Sequence, residues 1–441
     1  MKKTIIIIIT IAAVAGIIAG GAAFYINSDY HNEYIDNYIS NFKDNIFNLR
    51  LKYELKKAER EGNAENTFEA EEAEQTDAEA VIPEESAEPE KKDSEQETTT
   101  NSTKQLNENE LPQIFALSCD PIALKGAANA KFSRYQDGIL CVVENSINYY
   151  NNKGEKKWSA PIQISNPVLK VAEPYILLME QGGKKICVFN NEKIIYEAQT
   201  DEKILTGNIS SNGECVAVTE KKYYKGAVSV YNKSGEEIYS RSFGSESVIS
   251  VAISNSRKLA VSLLNITNKP ISKISFLDVS KTEADVEVTY ENTIIYDLDF
   301  SQNTLYAYAD DKMIALNSNG KEQWVNNFES KTLNRYRKDS GDVRLLLFDN
   351  NNNAELAIVN SSGKERQKIS TDIIPNNCDI CDGYIIFSNE RNLFLTRMNG
   401  SYLAKYTPSR DIQKAFFIDS DNIMIVYNSS IEFMHTQKNK K

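Results

Sequence analysis

One phrase recurs eight times between residues 138 and 437: an apolar strand, a polar break, a second apolar strand, and an Asn-rich turn often closed by Gly. GILCVVENSINYYNNKG (138–154), TLYAYADDKMIALNSNG (304–320) and GYIIFSNERNLFLTRMNG (383–400) are three of the copies. The residues opening the terminal turns are Asn151, Asn190, Asn232, Asp278, Asn317, Asn360, Arg397 and His435, with successive separations of 39, 42, 46, 39, 43, 37 and 38. A period near 40 made of short strands is the mark of propeller blades. Each blade is a four-stranded meander that can cover its apolar faces only against its neighbours. Helical repeats fit poorly, because the segments alternate or run apolar for four to six residues, are rich in Val, Ile, Tyr and Phe, and break at Gly and Asn. The sequence therefore predicts an all-β, eight-bladed β-propeller over residues 111–441.

Within a blade the innermost strand precedes each phrase, as in SVISVAIS (247–254) and TIIYDLDFS (293–301), and the fourth follows the turn, as in EEIYSRSF (236–243). The last copy has no fourth strand of its own. Gln113–Ser118, an apolar stretch ahead of the first blade, is expected to supply it and so remove both sheet edges. The Asn-x-x-Gly turn suits a short hairpin connection in which Asn starts the turn through its side chain and Gly takes the left-handed conformation. Both tryptophans, Trp158 and Trp324, lie four residues after such a glycine, Gly154 and Gly320, and Tyr239 stands in the same place after Gly235. On an outermost strand these rings would lie against the adjacent blade and lock blade to blade.

On those residues the chain resembles the PQQ-like, or quinoprotein alcohol dehydrogenase-like, β-propellers, whose repeats place a docking Trp four residues after a Gly. Gly154 with Trp158 and Gly320 with Trp324 match that pair, while most copies lack the Trp. The whole layout is also similar to an uncharacterised family of bacterial membrane-anchored propellers described as a domain of unknown function. A further likeness, to the propeller lipoproteins of the outer-membrane barrel assembly machine, implies a scaffolding role by analogy of fold.

Ahead of the repeats the chain changes character twice. Thr4 to Ile26 carries no charge; as a helix these 23 residues would span about 35 Å, enough for a bilayer's hydrocarbon core. Lys2 and Lys3 before it and Asp29 after it place the N-terminus in the cytoplasm and the remainder outside. A cleaved signal peptide ending at Ala13-Val14-Ala15 competes, but cutting there would leave an apolar new terminus, so the uncleaved single-pass anchor (1–28) is preferred. From 29 to 58 a juxtamembrane helix is expected. Its apolar residues at 35, 39, 42, 46, 49 and 53 have the seam spacing of a parallel coiled-coil homodimer. The wider stripe made by Tyr34, Tyr38, Phe47 and Leu51 fits a single helix along the lipid surface.

Residues 59–110 hold 18 acidic and 4 basic side chains and almost no large apolar ones, the composition of a disordered acidic tether reaching about 40 Å. Residues 1–58 hold 5 acidic and 7 basic side chains. Of the chain's 62 acidic and 50 basic residues, 39 of each therefore fall in 111–441. The overall charge of −12 belongs to the tether, and a neutral folded region offers no general basic face for nucleic acid.

Little in the chain suggests catalysis. The two histidines, His31 and His435, leave almost no material for Ser-His-Asp hydrolysis or His-rich metal sites, and no GxxxxGK[ST] stretch occurs. Cys378-Asp-Ile-Cys381 has no second pair to complete a zinc site, and Cys141, Cys187 and Cys215 sit in apolar strands as small buried residues. The quinoprotein enzymes of the resembled superfamily hold their cofactor with calcium and often an adjacent cysteine pair, which this chain lacks. Asp310–Asp311 and Asp297 with Asp299 could do acid–base work, but turn or rim positions would leave them merely solvated. No catalytic residue, cofactor or metal is therefore expected. The expectation is a membrane-anchored, extracytoplasmic, non-enzymatic module whose rim loops bind a protein or cell-envelope polymer. A degenerate quinoprotein-type enzyme is the alternative.

Overall fold

The computed structural model describes residues 111, 114–267, 269–281, 284–329, 331–350 and 353–437. The anchor, juxtamembrane helix and acidic tether all lie outside them. Among the described residues no helix is long and apolar enough to cross a membrane.

Eight antiparallel sheets follow one another along the chain, and in seven of them the four strands are consecutive. Blades one to seven cover residues 131–161, 167–199, 204–243, 247–291, 295–327, 333–371 and 377–406. Blade eight contributes only Lys414–Phe417, Asn422–Val426 and Ser430–Thr436 from its own stretch of chain. Phe115–Leu117 completes it, pairing antiparallel with Met434–Thr436, and Ile122–Ala123 pairs with Ser430–Ile431. The expected closure is therefore present, with the outer strand running over 115–117. The all-β eight-bladed propeller anticipated from the repeats is the observed architecture.

The middle strands of each blade are buried almost throughout, as in Tyr175–Glu180 and Lys185–Asn190, because both of their faces meet a neighbouring sheet. The apolar side chains form eight clusters among the described residues, and each cluster is shared by two successive blades. The cluster of Ile139, Cys141 and Tyr150 with Met424, Val426 and Phe433 joins blade one to blade eight, so the core is a closed ring of seams. Burial of this kind, at roughly 25 cal/mol per Å² of apolar surface, is the main force holding sheets that share no backbone hydrogen bonds.

The turns work as the sequence suggests. In Asn151, Asn232, Asn317 and Asn360 the side-chain oxygen accepts backbone N–H groups two and four residues on, at 2.9–3.1 Å. The closing glycines, Gly154, Gly235, Gly320, Gly363 and Gly400, all have φ between +76° and +82°. These glycines also admit a neighbour. A Cβ on Gly363 would lie 2.4 Å from the Trp324 ring of blade five, and one on Gly235 would lie 2.9 Å from Tyr196 of blade two. Gly320 faces Val286 in the same way, and Gly154 faces Cys119 and Phe433. In each case the turn forms a bare shelf that receives a side chain from the preceding blade.

Candidate functional site

The residues singled out in the sequence fall into place along the seams. Trp324 stands opposite Ala315 on the neighbouring strand, packs into the seam between blades five and six, and donates its indole N–H to Ser361 O at 2.9 Å. Trp158 stands opposite Tyr149 and stacks on that ring, with centroids 5.6 Å apart, at the edge of the seam shared with blade two. Tyr239 packs into the seam between blades three and four beside Leu277 and Val279.

The innermost strands carry the polar chemistry. Asp297, at the third position of Ile295–Ser301, accepts Ser250 Oγ of blade four at 2.9 Å through Oδ1 and Tyr336 OH of blade six at 2.9 Å through Oδ2. Asp379, at the third position of Asn377–Cys381, accepts Phe417 N of blade eight at 2.9 Å and Arg134 Nη2 of blade one at 2.7 Å. Each carboxylate also accepts the N–H of the residue after it, at 3.0 Å. Each one ties three blades together at the axis. Asp379 is buried and Asp297 half-buried, and with three such donors each serves as a structural link between blades.

The placement of the paired carboxylates differs from expectation. Asp297 and Asp299 lie on an innermost strand, not at a turn or rim, and Asp299 is taken by Lys338 Nζ at 3.0 Å and lies 3.5 Å from Arg344 Nη2. Alternation along a strand puts both carboxylates on one face, and that face is the inter-blade seam. Asp310 does sit in a turn, but it is buried and accepts the N–H of Ile294 at 3.0 Å instead of facing water.

The cysteines are all free, and the CxxC cannot chelate as a pair. Cys378 belongs to the seam between blades six and seven, and Cys381 to the one between seven and eight. The only close grouping of metal-type donors among the described residues is Asp339, Cys381 and Asp382. Burial pushes the Cys381 thiol up to about 11, partly opposed by the positive charge of Arg134 nearby. The same arginine acts on Asp339, so a fixed cation already serves this corner.

A search of the curated proteins finds no match to this chain. Residues 122–436 match the model of a family of unknown function, DUF5711, which covers most of the chain. The chain belongs to that family. Among solved structures, BamB from Moraxella catarrhalis superimposes with a TM-score of 0.50 at 9% identity, covering 73% of this chain and 100% of that one. The computationally designed Ika8 protein gives 0.53 at 10% identity, covering 71% and 96%. At such identities the likeness is one of fold. The DUF5711 propeller is thus a ring whose inner carboxylates are engaged in joining blades.

Two features of the ring were not legible beforehand. The loop Lys221–Lys222–Tyr223–Tyr224–Lys225 of blade three stands out from one rim. Tyr223 is 89% exposed and Tyr224 50%, beside a shallow cavity of about 420 Å³ that Leu205, Glu202 and Glu220 also line. The second is the innermost strand of blade six, Leu333–Lys338, which reads LNRYRK.

Proposed function

We propose that this DUF5711 protein is a non-enzymatic binding module, held at the outer side of the cell membrane by residues 4–26 and recognising a protein partner through the rim loop of blade three. The observation that carries this reading is the loop 221–225: two exposed tyrosines flanked by three lysines. Tyrosine offers a large, stiff contact area with a polar end, and exposed aromatic groups of this kind suit recognition better than solubility. A rigid ring that presents its loops at fixed positions supports the same role. The engaged inner carboxylates give acid–base chemistry no free group at Asp297 or Asp379. A photo-cross-linker placed at Tyr223 in native membranes should yield an adduct of one defined mass that is absent when it is placed at Ile195, on the outer strand of blade two. Equal labelling from both positions would count against rim recognition, and dye-linked oxidation by the full chain with added PQQ and calcium would replace this reading with an enzymatic one. The anchor is tested separately: the full chain should resist carbonate extraction, and a chain starting at residue 29 should not.

A further inference from the structure

The charges of the folded region balance, but they are not evenly spread. The eight innermost strands together carry seven basic residues, Lys131, Arg134, Lys170, Arg335, Arg337, Lys338 and Lys414, against three acidic ones, Asp297, Asp299 and Asp379. All three carboxylates are already in use. Asp379 takes Arg134, Asp299 takes Lys338, and Asp297 takes neutral hydroxyl and amide donors. Arg335 and Arg337 take none of them.

These two lie two residues apart on one strand, so they share a face at a spacing of about 7 Å. Neither has a carboxylate within 4.0 Å among the described residues, although both are half-buried. Arg335 Nη1 reaches Asn377 Oδ1 at a long 3.4 Å, and Arg337 Nη1 donates to Tyr336 O at 2.9 Å. Among the described residues the remaining N–H groups of both forks meet no acceptor. The opposite face of the same strand is fully provided for, with Tyr336 stacked on Tyr308 at 3.5 Å and bound to Asp297. Burial, and then the nearby Arg337, hold the Arg335 guanidinium below its usual value. Arg134 and Arg344 have carboxylates at hand, whereas Arg241, half-buried on the outer strand of blade three, lies over the Phe243 ring.

Two guanidinium groups kept together in a sheltered place without a counter-ion repel one another, and an oxyanion between them would reverse the sign of that interaction. A surface on which one sign of charge predominates also concentrates the opposite ion from solution. We propose that the axial end of the seam between blades six and seven is a binding site for a small oxyanion of the phosphate type, gripped by Arg335 and Arg337 with Asn377 fixing the orientation of Arg335. The site is independent of the rim-loop reading, since it lies on the axis and takes a different ligand.

The test uses the full chain and inorganic phosphate at constant ionic strength, with chloride as the replaced anion. The melting temperature should rise saturably with phosphate, and calorimetry should show one site per chain. Arg335→Gln with Arg337→Gln should abolish both signals. Arg335→Lys, which keeps the charge but loses the planar fork, should weaken binding about tenfold. Arg366→Gln, an exposed arginine on the outer strand of blade six, should leave binding unchanged. A rise of equal size in the double Gln variant, or no saturable rise in the parent chain, would overturn the assignment. Should the double variant not fold, the Arg335→Lys and Arg366→Gln pair still decides: equal affinity in these two removes the site from Arg335.

Discussion

Trp324 and Trp158 occupy the same place in their blades, seven residues after the Asn that opens the turn, yet they key their seams differently. Trp324 faces Ala315 across the strand pair and finds Gly363 in the next blade's turn, so the indole crosses the seam and hydrogen-bonds Ser361 O. Trp158 faces Tyr149 and stacks on it, because the next blade's turn has Asn191, at φ +52°, and no glycine shelf. Where an aromatic docks is therefore set by two other residues: the one opposite it and the one awaiting it. The blade-eight seam is a third solution. There Cys119, carried in from ahead of the first blade, faces Gly154 together with Phe433.

The closing segment should give the largest effect. Deleting residues 111–118 removes the outer strand of blade eight and the Phe115 ring, which lies 5.7 Å from Tyr406. The lost apolar burial and backbone pairing should cost about 4 kcal/mol, read as a fall in the urea midpoint. Deleting eight residues of the acidic tether should cost nothing measurable. Next comes Gly363→Ala, which adds left-handed strain to a collision with the Trp324 ring and should cost about 3 kcal/mol. Gly383→Ala separates the two causes. Its φ is +86° but nothing lies within 4 Å, so only the strain of about 1 kcal/mol should appear. Equal losses at the two glycines would mean that the shelf contributes nothing.

The tryptophans themselves follow. Trp324→Ala loses a cross-seam ring and a hydrogen bond and should cost about 3 kcal/mol, against about 2 for Trp158→Ala, whose ring is held mainly within its own blade. Thermal or urea unfolding of the two single variants measures the difference. Comparable losses would show that stacking on Tyr149 is as good a key as a glycine shelf.

The ring itself was legible because its period is written in strand-turn chemistry: Asn and Gly recur where the backbone needs them, and apolar runs recur where two faces are covered. The segment completing blade eight was legible for a related reason, since an apolar stretch without a partner and a blade without an edge call for each other. Other features depend on residues far apart in the chain. Tyr196 docks on Gly235 as Trp324 docks on Gly363, but blade two's own turn is one residue shorter and holds no glycine, so a search for an aromatic at fixed spacing after a glycine misses it. From the sequence Asp297 is expected to be a solvated turn or rim carboxylate and nothing singles out Asp379; only the ring brings three blades to each. Arg335 and Arg337 have the alternating spacing of one strand face. Their lack of a counter-ion becomes visible once blades five and seven are placed on either side.

The smallest effect concerns the thiols, and it sharpens the contrast between the closing seam and the others. Burial pushes Cys141, Cys187 and Cys215 up to about 12, so at neutral pH they are protonated and covered. Cys119 is only half-buried, and its thiol is raised by burial and then by the adjacent Asp120. A thiol reagent at pH 8 should therefore modify one cysteine in the folded protein and six after denaturation. Because the Cys119 value is raised, its rate should go on increasing with pH beyond the range in which an unperturbed thiol levels off. Modification should also loosen the seam it sits in, since the added group meets Gly154 and the Phe433 ring. A drop of a few degrees in melting temperature on labelling, absent in Cys119→Ser, would show that the closing seam uses a shelf of the same kind as Gly363, filled by a smaller side chain.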